Sequence, residues 1–465
     1  ATVILVDRND AAGGHWVHAY PFCKLHQPSC FYGVNSLPLG KSRHKKGELY
    51  DVRDRATKSE ILEYYRTVRE QFEATGRVRC FFGVEYERSE EERGVHRIVP
   101  ARQRPGGGGS SVGVRCGKLV TVANAITVPS MRGPLVDVDD SVHFAPVNDV
   151  PSSVASGRYE HYVVLGNGKT GADAIVYLLE HGISQSRITW VISRDVWYML
   201  RDALQDYIGI AATFDRGMCR TNSVEECFLL FEKAGLMGRL DPSLPPPRIF
   251  KSPVVSGKEL DRMRSVQTVV RLGRVTAVEK DTVVLERGSF DFSTEETLLV
   301  DCMMEHESVF VDVGADFHIF EPGRITLGPL TSYYNPSGSA ARIAFLECAL
   351  DDDDEKNGCC YFVRGKQYAT PTPEYMVGMT YMEAKSIKAL MKVEGGAKFY
   401  LNSRTFSENP QHHRVGMLRL LWLCYGPKKL AGFYERLFQK IESKGYSDVN
   451  HCWGVETLTS RDIET

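Results

Sequence analysis

The chain has 465 residues, enough for two or three domains around a large core. Hydrophobic residues make up 43% and charged residues 25%, the balance of an ordinary globular protein and not of a disordered one. The formal net charge of -2 excludes a bulk electrostatic case for nucleic acid or an anionic membrane as partner.

No stretch approaches the roughly 18 uninterrupted apolar residues of a spanning helix, so no membrane span is expected. The twelve cysteines are scattered and include no C-x-x-C. They read as reduced core residues in a reducing, cytoplasmic setting, with neither a disulfide framework nor a metal site. The sequence starts at Ala1, inside a strand, and N-terminal targeting cannot be read from it.

Thr2 to Val6 is a buried-type strand ending in Asp7, followed by Gly13-Gly14-His15-Trp16. An acid at a strand end suits the ribose of an adenosine, and the glycines permit close backbone approach to a cofactor. A glycine fingerprint belongs about 20 residues before such an acid. The spacing therefore predicts that the first strand, turn and helix of this unit precede the given sequence. Tyr20 to Leu39 is dense in aromatics, Pro, Gly and Asn and reads as a structured pocket loop. His18 and His26 are packing or supporting residues there, without the clustered partners of a metal site.

Lys41 to Lys46 is a basic surface patch. Thr57 to Ala74 is an amphipathic helix with apolar Ile61, Leu62, Tyr65, Val68 and Phe72, capped by Thr57 or Ser59. Arg79 to Glu87, His96 to Val99 and Gly117 to Pro129 are strand candidates around a flexible Gly/Ser segment, Arg104 to Val112. Val142 to Pro151 reads as a crossover.

Then comes HYVVLGNGKTGADAI, from His161 to Ile175: an apolar run, a glycine turn and an Ala-rich helix. Gly166 turns the chain, Gly168 admits a pyrophosphate to the backbone, and Gly171 lets the helix pack on its strand. The helix start offers N–H groups and a partial positive charge, and Lys169 adds a full one. A phosphate loop of the NTPase kind is excluded, because it needs a glycine at position 163, which is Val. Ile188 to Ile192 is the second strand. Ser193-Arg194 at its end suits the 2′-phosphate of NADP, although Asp195 is adjacent. A solvated charged strand end is the other reading of Arg194.

The helix ends at His181-Gly182. Val196 to Met237 carries apolar residues at helical spacing, among them Trp197, Tyr198, Leu200, Leu204, Phe228 and Phe231. Pro242 to Pro247 is a turn, and Val266 to Val278 and Thr282 to Leu285 are strands. Leu298 to Cys302 and Arg324 to Leu327 are further strands. Ala340 to Ala349 is a helix, stopped by the acidic run Asp351 to Glu355, which reads as a solvated loop. From Pro373 onward the chain reads as helical, with a packed apolar face within Val415 to Lys444.

Two dinucleotide units with material between them imply a flavoprotein that also uses a nicotinamide. The chain resembles the two-dinucleotide-domain flavoproteins, specifically the flavin-dependent monooxygenases. The resemblance rests on Asp7 with Gly13-Gly14-His15-Trp16, on Leu25 to Ser36, on Gly166 to Gly171 with Arg194, and on Leu298 to Cys302 as a strand returning to the flavin domain. The family's FAD fingerprint is absent from the sequence, and so is a Phe-x-Gly-x-x-x-His stretch near His143 to Asn148. The resemblance implies an α/β fold with two Rossmann-like dinucleotide-binding domains of three-layer ββα and αβα type. The FAD domain is discontinuous, with the NADP domain inserted, and the C-terminal region is helical. The implied division is 1–155 and 290–365 for the FAD domain, 156–289 for the NADP domain and 366–465 for the helical region.

It further implies NADPH and FAD as cofactors. Hydride passes from NADPH to FAD, and an oxygen atom then goes to a small organic substrate. Asp7, Arg8, Gly13, Gly14, Trp16, His26 and Gln27 are the implied FAD contacts. Gly166, Asn167, Gly168, Lys169, Thr170, Gly171, Ser193 and Arg194 are the implied NADP contacts. Trp16, Phe22, Phe31 and Tyr32 can form an apolar wall, and Asn35 is the candidate for a hydrogen bond near the reactive flavin edge. A disulfide reductase of the same fold lacks its close cysteine pair. The alternative from another class is a non-catalytic nucleotide-binding protein, or a truncated flavoprotein unable to hold FAD.

Overall fold

The computed structural model describes residues 1–40, 53–88, 95–101, 111–122, 128–203, 221, 223–250, 252–303, 318–328, 335–361, 373, 383 and 385–405. The Lys41–Lys46 patch, most of the Gly/Ser segment, Leu204, Cys219, Cys424, Cys452 and the apolar run 415–444 lie outside the described residues.

β1 (Val3–Asp7) ends at the expected acid. The chain then forms short 3-10 turns and enters α1 (Lys58–Ala74), which starts at a capping box: the Thr57 hydroxyl accepts from Glu60 N and Glu60 Oε2 accepts from Thr57 N at 2.8 Å. Ile61, Tyr64 and Val68 form its buried face, whereas Phe72 is 38% exposed. β2 (Val78–Phe82) runs parallel to β1, with Asp7 opposite Phe82. Among the described residues β2 is the only strand paired with β1, and Val3, Ile4 and Leu5 are 48, 44 and 45% exposed. β3 (Val84–Arg88), β4 (Val95–Pro100) and β5 (Val112–Arg115) form an antiparallel meander. β6 (Leu119–Val122) and β7 (Asp137–Val138) lead to β8 (Phe144–Pro146) and α2 (Val150–Ser156).

Next come β9 (His161–Leu165), α3 (Lys169–Glu180), β10 (Ile188–Val191) and β11 (Tyr198–Leu200). α4 (Val224–Lys233), β12 (Met237–Gly238), β13 (Val254–Val255), α5 (Gly257–Arg264) and β14 (Thr268–Val270) follow. The chain continues as β15 (Val275–Glu279), β16 (Thr282–Leu285), β17 (Gly288–Asp291) and β18 (Thr297–Asp301). β19 (Phe320–Glu321), β20 (Arg324–Leu327), α6 (Pro336–Ala349), α7 (Asp353–Asn357) and α8 (Gly396–Asn402) complete the described elements.

The chain is α/β, and its centre is a five-stranded sheet in the order β14-β10-β9-β18-β8, parallel throughout. β10 and β18 are buried at every position, as a parallel sheet covered on both faces requires. Side chains alternate between two cores. Tyr162 and Val164 of β9 join Ala172, Ile175 and Leu178 of α3. Val163 and Leu165 join Val278, Val283 and Leu285 of the antiparallel sheet β17-β16-β15-β7. Helix, parallel sheet and antiparallel sheet thus form three layers.

Five elements differ from the sequence reading. Phe144–Pro146, expected within a crossover, is the edge strand of the central sheet, where Pro146 is tolerated. Leu298–Cys302, expected to return to the flavin domain, supplies β18 between β9 and β8; an apolar run marks a buried strand without naming its sheet. The expected boundaries at 155 and 289 therefore fall between strands of one sheet. Tyr198–Leu200 is a strand despite its helical spacing, because β12 and β13 pair with it. The acidic run is no loop: Asp352 caps α7, and Asp353 pairs with Lys356 at 2.8 Å. Asn335 caps α6 and starts it four residues before the expected Ala340. No disulfide joins any of the nine described cysteines.

A methyl group on Gly171 would overlap the carbonyl oxygen of Gly166, whereas one on Gly168 meets nothing within 4 Å. Gly171→Ala should destabilise the fold by about 1–3 kcal/mol in urea unfolding. Gly168→Ala should stay within about 0.5 kcal/mol of wild type. Equal midpoints for the two variants would contradict this packing.

Candidate functional site

The glycine turn leaves β9 at Gly166, whose φ of +112° is open to glycine and strained for other residues. Gly166 N donates to Val191 O at 2.9 Å, and Trp190 Nε1 donates to Gly166 O at 2.8 Å. The turn is thereby fastened to β10. Gly168 is the N-cap of α3 and brings no side-chain cap. The N–H groups of Lys169, Thr170 and Gly171 have no acceptor within the helix, and a side chain at Gly168 would meet nothing within 4 Å. This donor set suits a pyrophosphate.

Asn167 ties the turn to the end of the second strand. Its Nδ2 donates to Arg194 O at 2.7 Å, and its own carbonyl accepts from the Tyr198 hydroxyl at 3.1 Å. Arg194 is exposed, and no hydrogen bond or ion pair engages its guanidinium among the described residues. Ser193 is half-buried beside it. The neighbouring Asp195 is occupied by Arg271, at 3.1 Å, from the end of β14. The acid that would favour a 2′-hydroxyl is thus already balanced, and the cation beside it is free.

The Lys169 amine pairs with Asp173 one turn later in α3. The other oxygen of Asp173 accepts from the Tyr20 hydroxyl at 2.6 Å. Burial, and then Asp173, hold the Tyr20 hydroxyl well above the usual phenol range. The same two causes push the Cys23 thiol up to about 11. Phe22, expected in the apolar wall, stacks on Tyr177 of α3, with ring centroids 4.2 Å apart. The pocket loop therefore docks on the helix of the glycine turn.

His26 lies in this junction, near Lys169, Arg201 and Arg55. Burial first, then those three cations, push it down to about 3, so its ring is neutral at physiological pH. Gln27 Nε2 is buried and has no hydrogen-bond partner among the described residues, a donor left over in the same loop. Arg201 pairs with Glu259 and donates to Val254 O at 3.2 Å. The sequence reading missed Asp173, Arg55, Arg201 and Arg271. The i,i+4 spacing from Lys169 signals Asp173; the others are brought in by tertiary contacts alone.

In the first unit, Asp7 Oδ1 accepts from Asn9 N at 2.8 Å and closes the turn after β1. Arg8 is exposed. Gly13 and Gly14 have φ of +141° and +54°, and Asn9 Nδ2 donates to Gly14 O at 3.2 Å. Trp16 is buried and donates through Nε1 to the Tyr32 hydroxyl at 2.6 Å. Tyr32 in turn lies edge-on to Tyr65 at 6.2 Å. Asn35 is exposed, but its Oδ1 accepts from Arg404 N at 2.9 Å and from Ser403 Oγ at 3.1 Å. Its side-chain oxygen thus serves the loop's own architecture.

No group of His, Cys, Asp and Glu that could hold a metal ion occurs among the described residues, and no helix among them is long and apolar enough to cross a membrane. No protein-family model matches the chain. An uncharacterized protein of Mycobacterium tuberculosis is 32% identical over 378 residues, covering 77% of this chain. The chain spans 65% of the length of that relative. Among solved structures, the chain is similar to cyclohexanone monooxygenase from Rhodococcus sp. Phi1 bound to NADP+, at 14% identity and a TM-score of 0.45, over 75% of this chain and 80% of that one. A complex of OTEMO with FAD and NADP is similar at 14% identity and a TM-score of 0.44, over 72% of this chain and 77% of the other.

The His26 environment fixes a pH dependence. Between pH 6.5 and about 3 the unfolded chain binds a proton here that the native chain refuses. Native stability is therefore full above pH 6.5 and falls as the pH drops, by at most about 1.4 kcal/mol per unit. Urea unfolding at pH 7 and pH 5 should show a smaller loss for His26→Gln than for wild type. Identical losses would place His26 in a solvated site.

Proposed function

We propose that the chain binds NADPH on the Gly166 unit and FAD against the Asp7 unit, and works as an NADPH-dependent flavin oxidoreductase, a monooxygenase of a small organic substrate. One observation carries the nicotinamide half: an uncapped helix start behind a parallel strand, beside an exposed Arg194 whose neighbouring acid is neutralised by Arg271. The free N–H groups of Lys169, Thr170 and Gly171 bind the pyrophosphate. Arg194 and Ser193 bind the 2′-phosphate, which is why NADP is preferred to NAD. Lys169 reaches the phosphates only by giving up part of its pair with Asp173.

The residues present fit part of a flavin site. Asp7 retains Oδ2 for a ribose, Gly13 and Gly14 allow close approach, and Gln27 Nε2 is a buried donor in want of an acceptor. Bound flavin supplies the two-electron redox chemistry and the activation of oxygen. Trp16 and Tyr32 exclude water from the junction, and the neutral His26 offers a hydrogen bond without adding charge. Asn35 is proposed to present its amide nitrogen toward the flavin edge while its oxygen stays on Arg404 and Ser403.

A second reading has its own observation. The described residues hold one glycine-turn helix start of this kind, at Gly168. α1, which packs on β2 in the first unit, has its first turn filled by Thr57 and Glu60. On that reading the chain is a nucleotide-binding protein that holds no FAD.

Visible absorbance of the purified protein before and after added FAD separates the two. A colourless protein that takes up no FAD leaves only the second. Arg194→Ala should weaken NADP+ binding by about 10–100-fold, the loss of charge-assisted hydrogen bonds, with NAD+ affinity unchanged. An unaltered preference between the two nucleotides would remove Arg194 from the 2′-phosphate site.

A further inference from the structure

Arg404 belongs to none of the motifs in the sequence, yet it is a charged side chain only 4% exposed. Its Nη1 donates to the carbonyls of Cys30 and Tyr32, at 2.5 and 2.9 Å. Its Nη2 donates to the carbonyls of Val34 and Leu37, the latter at 3.0 Å. The backbone N–H of the same residue donates to Asn35 Oδ1 at 2.9 Å, and Ser403 Oγ donates to that oxygen at 3.1 Å. Five acceptors of one short loop thus converge on one residue.

The loop needs such a partner. Beyond one 3-10 turn, Ser29–Phe31, it has no helix or strand ladder to satisfy its carbonyls. Two further ties act with Arg404. Ser337 Oγ accepts from Gly33 N at 3.1 Å, and Asn335 Nδ2 donates to Thr405 O at 2.6 Å, so the start of α6 and residues 403–405 hold the loop together. From the other side, the Tyr64 hydroxyl accepts from Val34 N at 2.8 Å and donates to Leu37 O at 2.7 Å. A planar guanidinium serves four carbonyls at fixed angles; a lysine amine is a single centre and cannot.

We propose that Arg404 is a positioning residue of the flavin–nicotinamide reaction: it fixes loop 30–37, and so holds in place Asn35 and the Trp16–Tyr32 wall, which lies against Tyr65 of α1. This rests on the function proposed above, and adds to it a residue that touches neither cofactor. Its effect is on turnover and loop order, not on nucleotide binding at Gly166.

The test uses the full chain with FAD and Arg404→Lys. Hydrogen exchange of amides in 29–37 should accelerate on the order of ten-fold, while 161–165 in the central sheet stays unchanged. NADPH-driven oxygen consumption should lose kcat on the order of ten-fold, with KM for NADPH unaltered. Ser337→Ala, which removes one tie, should move both readouts the same way by less, and decides the matter if Arg404→Lys does not fold. Unchanged exchange in 29–37 overturns the proposal, as does faster exchange with unchanged kcat. A wild-type protein that consumes no oxygen with NADPH and FAD overturns the functional reading, and the proposal with it; an active wild type with an unresponsive loop overturns the proposal alone.

Discussion

Position 171 has no room for a side chain, because the carbonyl of Gly166 occupies the space a Cβ would take. That close approach sets how α3 sits on β9, and the rest of the site follows from it. It places the first turn of α3, with its unshared N–H groups, directly after the glycine turn. It also brings Asn167 within reach of Arg194 O and of the Tyr198 hydroxyl, so turn and second strand end are held in one frame. A bulkier turn would leave the same residues in the chain without the cradle.

Charge in the site is arranged by pairing. Asp173 takes Lys169 and the Tyr20 hydroxyl, Asp195 takes Arg271, and Glu259 takes Arg201. Each acid is matched, and Arg194 keeps its charge for solvent or ligand. His26, surrounded by cations and burial, stays neutral. Arg55 adds a half-buried cation near His26, so the junction and the exposed Arg194 together suit a ligand carrying concentrated negative charge.

The pocket loop depends on distant chain for its shape. Tyr20 and Phe22 fasten its start to α3, Tyr64 of α1 holds its middle, and Arg404 and Ser337 close it from the C-terminal side. A segment with almost no internal ladder becomes ordered because four other segments supply the contacts it lacks.

Local physics made the glycine turn, the capping of α1 by Thr57 and the helix end at His181-Gly182 legible in the sequence, since each is set by residues within a turn of one another. The strand ends at Asp7 and Arg194 were legible for the same reason. Sheet membership was not: Phe144–Pro146 and Thr297–Asp301 carry apolar runs that would serve in any buried sheet, and only pairing with β9 assigns them. The electrostatic state of the site was likewise undecided, because Asp195 meets Arg271 across 76 positions and Tyr20 meets Asp173 across 153. The sequence determined which backbone groups stand uncapped at the start of α3. The tertiary structure decided which charges remain free to join them, since a charge is defined by its neighbours and those neighbours come from other segments of the chain.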